Sequence, residues 1–161
     1  MTDNIVFKKI DDDFAIQLLE ILNNDEKLQA ELGTNDHNIS KEEFINHNNK
    51  WATSTNSEIF AIVLNGRAIG TISLSHQNLK ESKAQVGYWI GSYYWKNGYT
   101  SKVFSKILDY AKGKGIRYLS AKINEENIAS KRIWEKYNAN IKIVDNGFYA
   151  NIILPDIDGK G

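Results

Sequence analysis

The sequence has 161 residues, 42% of them hydrophobic and 25% charged, with 20 basic and 20 acidic side chains, one Pro and no Cys. A chain of this length buries a full core without a disulfide or metal staple, and the lack of Cys removes iron–sulfur clusters, Cys-ligated zinc and a Cys nucleophile. Zero net charge lacks the basic excess of proteins that track a phosphate backbone, so nucleic acid is not an expected partner.

The opening MTDNIVFKKIDDDF has the pattern of neither a signal peptide nor a transit peptide, and no apolar run is long enough to span a bilayer. A cytoplasmic location with no membrane partner is the expectation. No repeat or Pro/Gly-rich linker divides the chain, so residues 1–155 are read as one domain and 156–161 as a polar, flexible tail.

In chain order, a strand at Ile5–Lys8 precedes a helix whose apolar positions Phe14, Leu18, Ile21 and Leu22 follow the acidic start Asp11–Asp13. A second helix is expected over roughly 25–32, and a third opens at Ser40, with Glu43 completing a capping box. EIFAIVL and RAIGTISLS flank Asn65-Gly66 and form a hairpin on a type I′ turn. The polar HQNLKES reads as a loop before the strand KAQVGYWI. Val103, Phe104, Ile107, Leu108 and Ala111 mark a helix, IRYLSAKI a strand, Ile128–Tyr137 a helix, and IKIV with FYANIIL a final strand pair. The fold class is α/β (α+β), a mixed, mostly antiparallel sheet of six or seven strands flanked by helices, in the order β-α-α-β-β-β-α-β-α-β-β.

The chemistry concentrates in YWIGSYYWKNGYTSKVFSKI, where a strand passes through Lys96, Asn97 and Gly98 into a helix starting near Thr100. Such a loop aims unpaired backbone N–H groups and the positive helix end at one spot, an anion site that a glycine lets a diphosphate approach closely. Neither the Walker pattern nor the dinucleotide fingerprint is present. Gly98 also reads simply as the turn between strand and helix.

Together with the element order and the later NEENIASKRIWEKY, this segment resembles the GNAT acyltransferases, and most of all their branch that acetylates protein and ribosomal-protein N-termini. The resemblance spans nearly the whole chain in element order, with its specific motifs in residues 85–137. It implies acetyl-CoA as co-substrate and an amine as acceptor, with no metal. It places the diphosphate loop on Trp95, Lys96, Asn97, Gly98, Tyr99 and Thr100, followed by Ser101. Thr100 stands where a small residue is usual, and its hydroxyl is expected to cap the helix. The main chain at Trp89 and Ile90 would pair with the pantetheine arm. Asn127 would bond the arm or acetyl end, besides serving as N-cap of its helix, and Ser130 would lie beside the sulfur, besides serving as a capping-turn residue. Ala129, Ile133, Trp134 and Tyr137 form an apolar face that reads as core.

Acyl transfer from a thioester needs a neutral amine, a polarised carbonyl and a proton for the leaving thiolate. Many relatives carry a Glu base where this chain has Gln85, and a Tyr acid where it has Trp134; an amide accepts no proton and an indole is no useful acid. An α-amine of pKa about 7.8 is roughly one-seventh neutral at pH 7, against about 1 in 2,500 for a lysine near 10.4, so a weakly basic acceptor is the more plausible one. Substitute bases on paper are His76, Glu58 and Glu81; the resemblance implies that His37 and His47 fall in the region covering the acceptor site, and they also read simply as exposed helix and loop histidines. Ser130, Tyr137 and water compete as proton donor. The catalytic candidates are therefore Ser130, His76 and Tyr137. The expected activity is N-acetyl transfer by a monomer or homodimer through a ternary complex, without a covalent intermediate; the alternative is a CoA-binding sensor or regulatory module without turnover. A small-molecule acetyltransferase shares the reaction and differs only in acceptor.

Overall fold

The computed structural model describes residues 3–33 and 39–155. After strand β1 (Ile5–Lys9), helix α1 (Asp12–Asn24) starts on Asp11, whose carboxylate accepts from the Phe14 N–H at 2.8 Å. Asp25 closes α1 and opens α2 (Glu26–Leu32), accepting from the Leu28 N–H at 3.1 Å. Ser40 caps α3 (Lys41–Thr55) through the Glu43 N–H at 3.1 Å, as the Ser-x-x-Glu spacing predicts. Strands β2 (Glu58–Leu64) and β3 (Arg67–Asn78) turn at Asn65 and Gly66, whose φ values of 51° and 87° are the left-handed pair that a type I′ turn requires.

The first three residues of the expected loop HQNLKES are strand instead, and the other four form the turn. β3 runs through His76 to Asn78 across a bulge, and His76 absorbs the irregularity with φ of 50°. Gln77 beyond it is buried, donating to the Leu74 carbonyl and to Glu58, while its main chain bonds to Asn56. Polar bonds hold this end of the strand, which is why its composition reads as loop.

The chain continues through β4 (Lys83–Ile90), a 3₁₀ turn at Ser92–Tyr94, α4 (Tyr99–Gly113), β5 (Tyr118–Asn124), α5 (Ile128–Lys136), β6 (Asn140–Val144) and β7 (Gly147–Ile153). The seven strands form one sheet in the order β1-β2-β3-β4-β5-β7-β6, antiparallel throughout except for β4 and β5. Alternation along β2 feeds two cores. Ala61 and Val63 pack with Ala15, Leu18 and Phe44 of α1 and α3; Phe60 and Ile62 face the other way, with Phe104 and Ile107 of α4 and Trp134 of α5.

The parallel pair holds for three residues only: Lys83 with Tyr118, Ala84 with Leu119, Gln85 with Ser120. Beyond it each strand follows its other neighbour. β4 stays on β3 as far as Ile90, opposite Gly70, and β5 stays on β7 as far as Asn124, opposite Gly147. Both glycines are close approaches: a Cβ at Gly70 would stand 2.1 Å from the Trp89 carbonyl oxygen, and one at Gly147 2.0 Å from that of Ile123. The strands thus part toward their outer neighbours, and a cleft opens between them.

Between β2 and α4, Glu58 accepts from the Tyr110 hydroxyl at 2.6 Å, from Gln77 Nε2 at 3.0 Å and from the Lys114 ammonium. Burial raises the pKa of its carboxyl, but the bonds from Lys114, Tyr110 and Gln77 outweigh that and leave it below its ordinary value. Burial and the same carboxylate push Tyr110 up to about 12.

Two outcomes follow from this architecture. Gly70→Ala is expected to lower stability by about 3 kcal/mol, at the upper end of overpacking costs because the obstructing atom is backbone, read as a fall in the denaturant midpoint. Glu58→Gln is expected to lower Tm at neutral pH by the equivalent of about 1 kcal/mol, since the pair is partly exposed. Because the folded pKa is depressed, that difference is fully present above the ordinary carboxylate value of 4.5 and closes as the pH falls through the folded one.

Candidate active site

The cleft between the parting strands has a volume of about 570 Å³, within the range of small-molecule sites. Tyr88, Trp89 and Ile90 of β4 form one wall and Asn127 to Ser130 with Ile133 of α5 the opposite one; Trp95, Lys96 and Gly98 to Ser101 close one end, and Leu28, Glu31 and Leu32 of α2 flank it. Gly91 N–H donates to the Ile69 carbonyl of β3, so by strand alternation the main-chain groups of Tyr88 and Ile90 turn to the edge away from β3. The ladder to β5 has ended there. Trp95 Nε1 donates to the Ile90 carbonyl at 2.9 Å, fixing the loop against this edge.

The loop ends on a helix without a side-chain cap. α4 starts at Tyr99 with Gly98 as its N-cap residue, φ 79°, and a Cβ there would meet nothing within 4 Å. Lys96 is also left-handed, with φ of 66°. The expected helix start near Thr100 therefore moves one residue earlier, and the Thr100 hydroxyl, already inside the helix, does not cap it. The first N–H groups of a helix have no intrahelical acceptor, and here the residues that carry them, Tyr99 to Ser101, line the cleft beside Lys96. Asn97 is not among the lining residues: its Nδ2 donates to the carbonyls of Tyr94 and Trp95 at 3.1 Å each and folds the loop on itself.

At the other wall, Asn127 caps α5 as expected, accepting from the Ser130 N–H at 3.1 Å. Ser130 is buried and its hydroxyl meets that of Tyr88 across the cleft. Trp134 is fully buried against Phe104, ring centroids 5.0 Å apart. Of the expected core face of α5, Trp134 is fully buried and Ile133 and Tyr137 pack half-buried against the same core, whereas Ala129 is exposed; Ala129 and Ile133 line the cleft. Tyr137 does not line it; its hydroxyl donates to the Ser101 carbonyl at 3.1 Å, and Lys136 donates to Ser101 Oγ at 3.1 Å, bracing the start of α4.

The remaining candidates lie elsewhere. His76 is exposed on the β3 bulge, its ring 6.5 Å from that of Trp51, and is not a cleft residue. Glu58 is engaged in the network under α4, and Glu81 pairs with Lys83 at 2.7 Å on the surface. His47 is exposed on α3, Gln85 is exposed at the last rung of the parallel ladder, and His37 falls outside the described residues. Among the described residues no group of three His, Asp or Glu side chains is placed to hold a metal ion, and no helix is long and apolar enough to cross a membrane.

Sequence reasoning passed over two contributors. Tyr88 carries the one hydroxyl on β4 that reaches Ser130, and the alternation of GYWI, which sends it to the α5 side of the sheet, was its available signal. Asp25 accepts from Ser92 N–H at 2.6 Å and Ser92 Oγ at 2.7 Å besides capping α2, tying that cleft-lining helix to the segment before the loop. Burial raises its pKa, and the bonds from Ser92 and Leu28 bring it below its ordinary value. No periodicity announces such a contact between residues 67 positions apart.

Comparison with known proteins bears on this site. The profile of the acetyltransferase (GNAT) domain matches residues 4–140. An uncharacterised N-acetyltransferase of Bacillus subtilis (strain 168), YoaA, is 35% identical over 66 residues, a stretch covering 40% of this chain and 37% of that protein. Among solved structures, the ribosomal alpha-N-protein acetyltransferase RimL in complex with coenzyme A superimposes with a TM-score of 0.73 at 16% identity, over 92% of this chain and 93% of its own. The microcin self-immunity acetyltransferase MccE, in complex with acetyl-CoA and AMP, does so with a TM-score of 0.76 at 13% identity, over 95% and 94%. With a parting of two parallel strands, a glycine-led helix at the mouth of the cleft and a domain profile covering most of its length, this chain belongs to the GNAT acetyltransferase family.

Proposed function

We propose that the chain transfers an acetyl group from acetyl-CoA to a primary amine, directly within a ternary complex. The observation that carries this reading is that the uncapped start of α4 and the open edge of β4 face one cleft. The first suits a diphosphate, through backbone N–H groups, the helix dipole and Lys96. The second suits an extended arm with amides of its own, which adds to β4 as a further strand would. Gly98 leaves the room that close approach requires. The thioester supplies an activated acetyl group; the chain's part is to hold the arm along Tyr88 to Ile90, exclude water with Trp95 and Ile133, and place Asn127 and Ser130 at the inner wall.

The missing carboxylate at Gln85 favours an acceptor that is neutral without help. The carboxylates among the lining residues, Glu31 and Glu126, are both solvent-exposed. An α-amine or another weakly basic amine near pKa 7.8 meets that condition, and lysine does not. RimL and MccE carry names pointing to a protein N-terminus and to a small molecule, and either class fits this argument. The amide at Gln85 also supports the second reading, a module that binds CoA without turnover.

Acetyl-CoA at a hundredfold excess over its Kd is expected to stabilise the protein by about 2.7 kcal/mol, roughly 5–10 °C in Tm. Gly98→Asp is expected to abolish that shift, because it strains a left-handed position and puts a negative charge at the helix start. A wild-type protein with neither a thermal shift nor binding heat would sink the reading. Thiol release with a panel of peptide α-amines and small amines then separates enzyme from module. For a reactive α-amine, kcat/KM is expected to rise tenfold per pH unit and to level off near the amine's own pKa, about 7.8; a flat profile below that value would point to a base on the protein.

A further inference from the structure

The leaving thiolate needs a proton, and the helix position at which relatives carry a tyrosine holds Trp134 here, which offers no acidic hydrogen. The phenol is instead present on the facing strand. Tyr88 projects from β4 toward α5, its ring edge-on to Phe104 with centroids 6.2 Å apart, and its hydroxyl meets that of Ser130. Of the two hydroxyls the phenol is the stronger donor and the aliphatic one the stronger acceptor, so Tyr88 donates to Ser130 Oγ and the Ser130 hydrogen is free to point into the cleft it lines.

We propose that Tyr88 and Ser130 form a directed hydroxyl relay that protonates the departing CoA sulfur, with Ser130 as the catalytic donor and Tyr88 as the residue that positions and resupplies it. This inference rests on the acetyl-transfer reading above. As the amine nitrogen bonds to the thioester carbon, the carbon–sulfur bond breaks and sulfur leaves with its electron pair. Sulfur takes the Ser130 proton, Ser130 takes that of Tyr88, and the phenolate is reprotonated from water, which has received the proton shed by the amine. One proton leaves nitrogen and one reaches sulfur.

The surroundings keep Tyr88 in its donor state. Burial raises its pKa above the ordinary value of 10.0, which the bond from its hydroxyl to Ser130 only partly offsets, and Phe104 of α4 packs edge-on against its ring.

The test uses the full chain, acetyl-CoA and whichever amine turns over fastest. Tyr88→Phe keeps the ring and its packing, and is expected to lower kcat tenfold to a hundredfold while the KM for acetyl-CoA changes less than threefold. Ser130→Ala is expected to do the same, and the double variant to be no slower than the slower single one, because members of a relay act as a unit. Losses that multiply in the double variant overturn the relay. A ring-fluorinated tyrosine at position 88 supplies a readout that packing does not move: the alkaline limb of kcat shifts down with the phenol's own pKa if the relay operates, and an unmoved limb overturns it. Wild-type protein that turns over alongside an equally fast Tyr88→Phe variant removes the relay alone. Wild-type protein that binds acetyl-CoA yet releases no thiol with any amine overturns the acetyl-transfer reading itself, and the relay with it.

Discussion

The structure depends on the divergence of β4 and β5 after three paired residues. A parallel ladder is cooperative, and nothing in its hydrogen bonding calls for it to stop at Gln85 and Ser120. Past those rungs each strand keeps its outer neighbour. Gly70 lets β3 approach β4 so closely that no Cβ would fit, opposite the last residue of β4, and Gly147 lets β7 approach β5 in the same manner, opposite the last residue of β5. The cleft is the space left between the two half-sheets. Buried main-chain groups that lose a partner carry a cost, and the chain meets part of it with Trp95, whose indole takes the Ile90 carbonyl. The rest of the edge is suited to an extended ligand that brings its own amides.

The walls of that space are tied to one another by side-chain hydrogen bonds. Lys136 and the catalytic candidate Tyr137 fasten the end of α5 to Ser101 at the start of α4. Asp25 does the same for α2. Its carboxylate accepts from the first turn of that helix and from Ser92, so one residue fixes the flank of the cleft and the entry to the loop together. The hydrogen bonds that depress its pKa are the bonds that hold this corner, and the ionised form is the one with enough lone pairs for all of them.

Elements set by local rules were legible in the sequence. The Asn65-Gly66 turn, the Ser40 cap and the stripe on α4 each follow from a few adjacent residues, and their order, with Gly98 and Asn127 at fixed places in it, pointed to the fold and to residues that line the cleft. Contacts between distant residues were not legible. The strand at His76 and Gln77 is held by Glu58 and Asn56, some twenty positions away, so its own composition is no guide. Tyr137 has the right chemistry for an acid and lies on the right helix, yet one turn past Ile133 it has left the cleft and bonds to Ser101. Gly70 is an unremarked letter in RAIGTIS until the register sets it against Trp89 and Ile90.

Trp134 and Tyr88 bring a large ring and a hydroxyl to the α5 side of the sheet from two different elements. A tyrosine on α5 would bring ring and hydroxyl from one wall; here the indole fills the core beside Phe104 and the hydroxyl arrives from the opposite strand. Tyr88 is placed on β4 by the same alternation that turns its main chain to the open edge. The ladder to β5 has ended before it, so the parting of the strands that leaves room for an arm also leaves a hydroxyl of β4 in contact with a serine of α5.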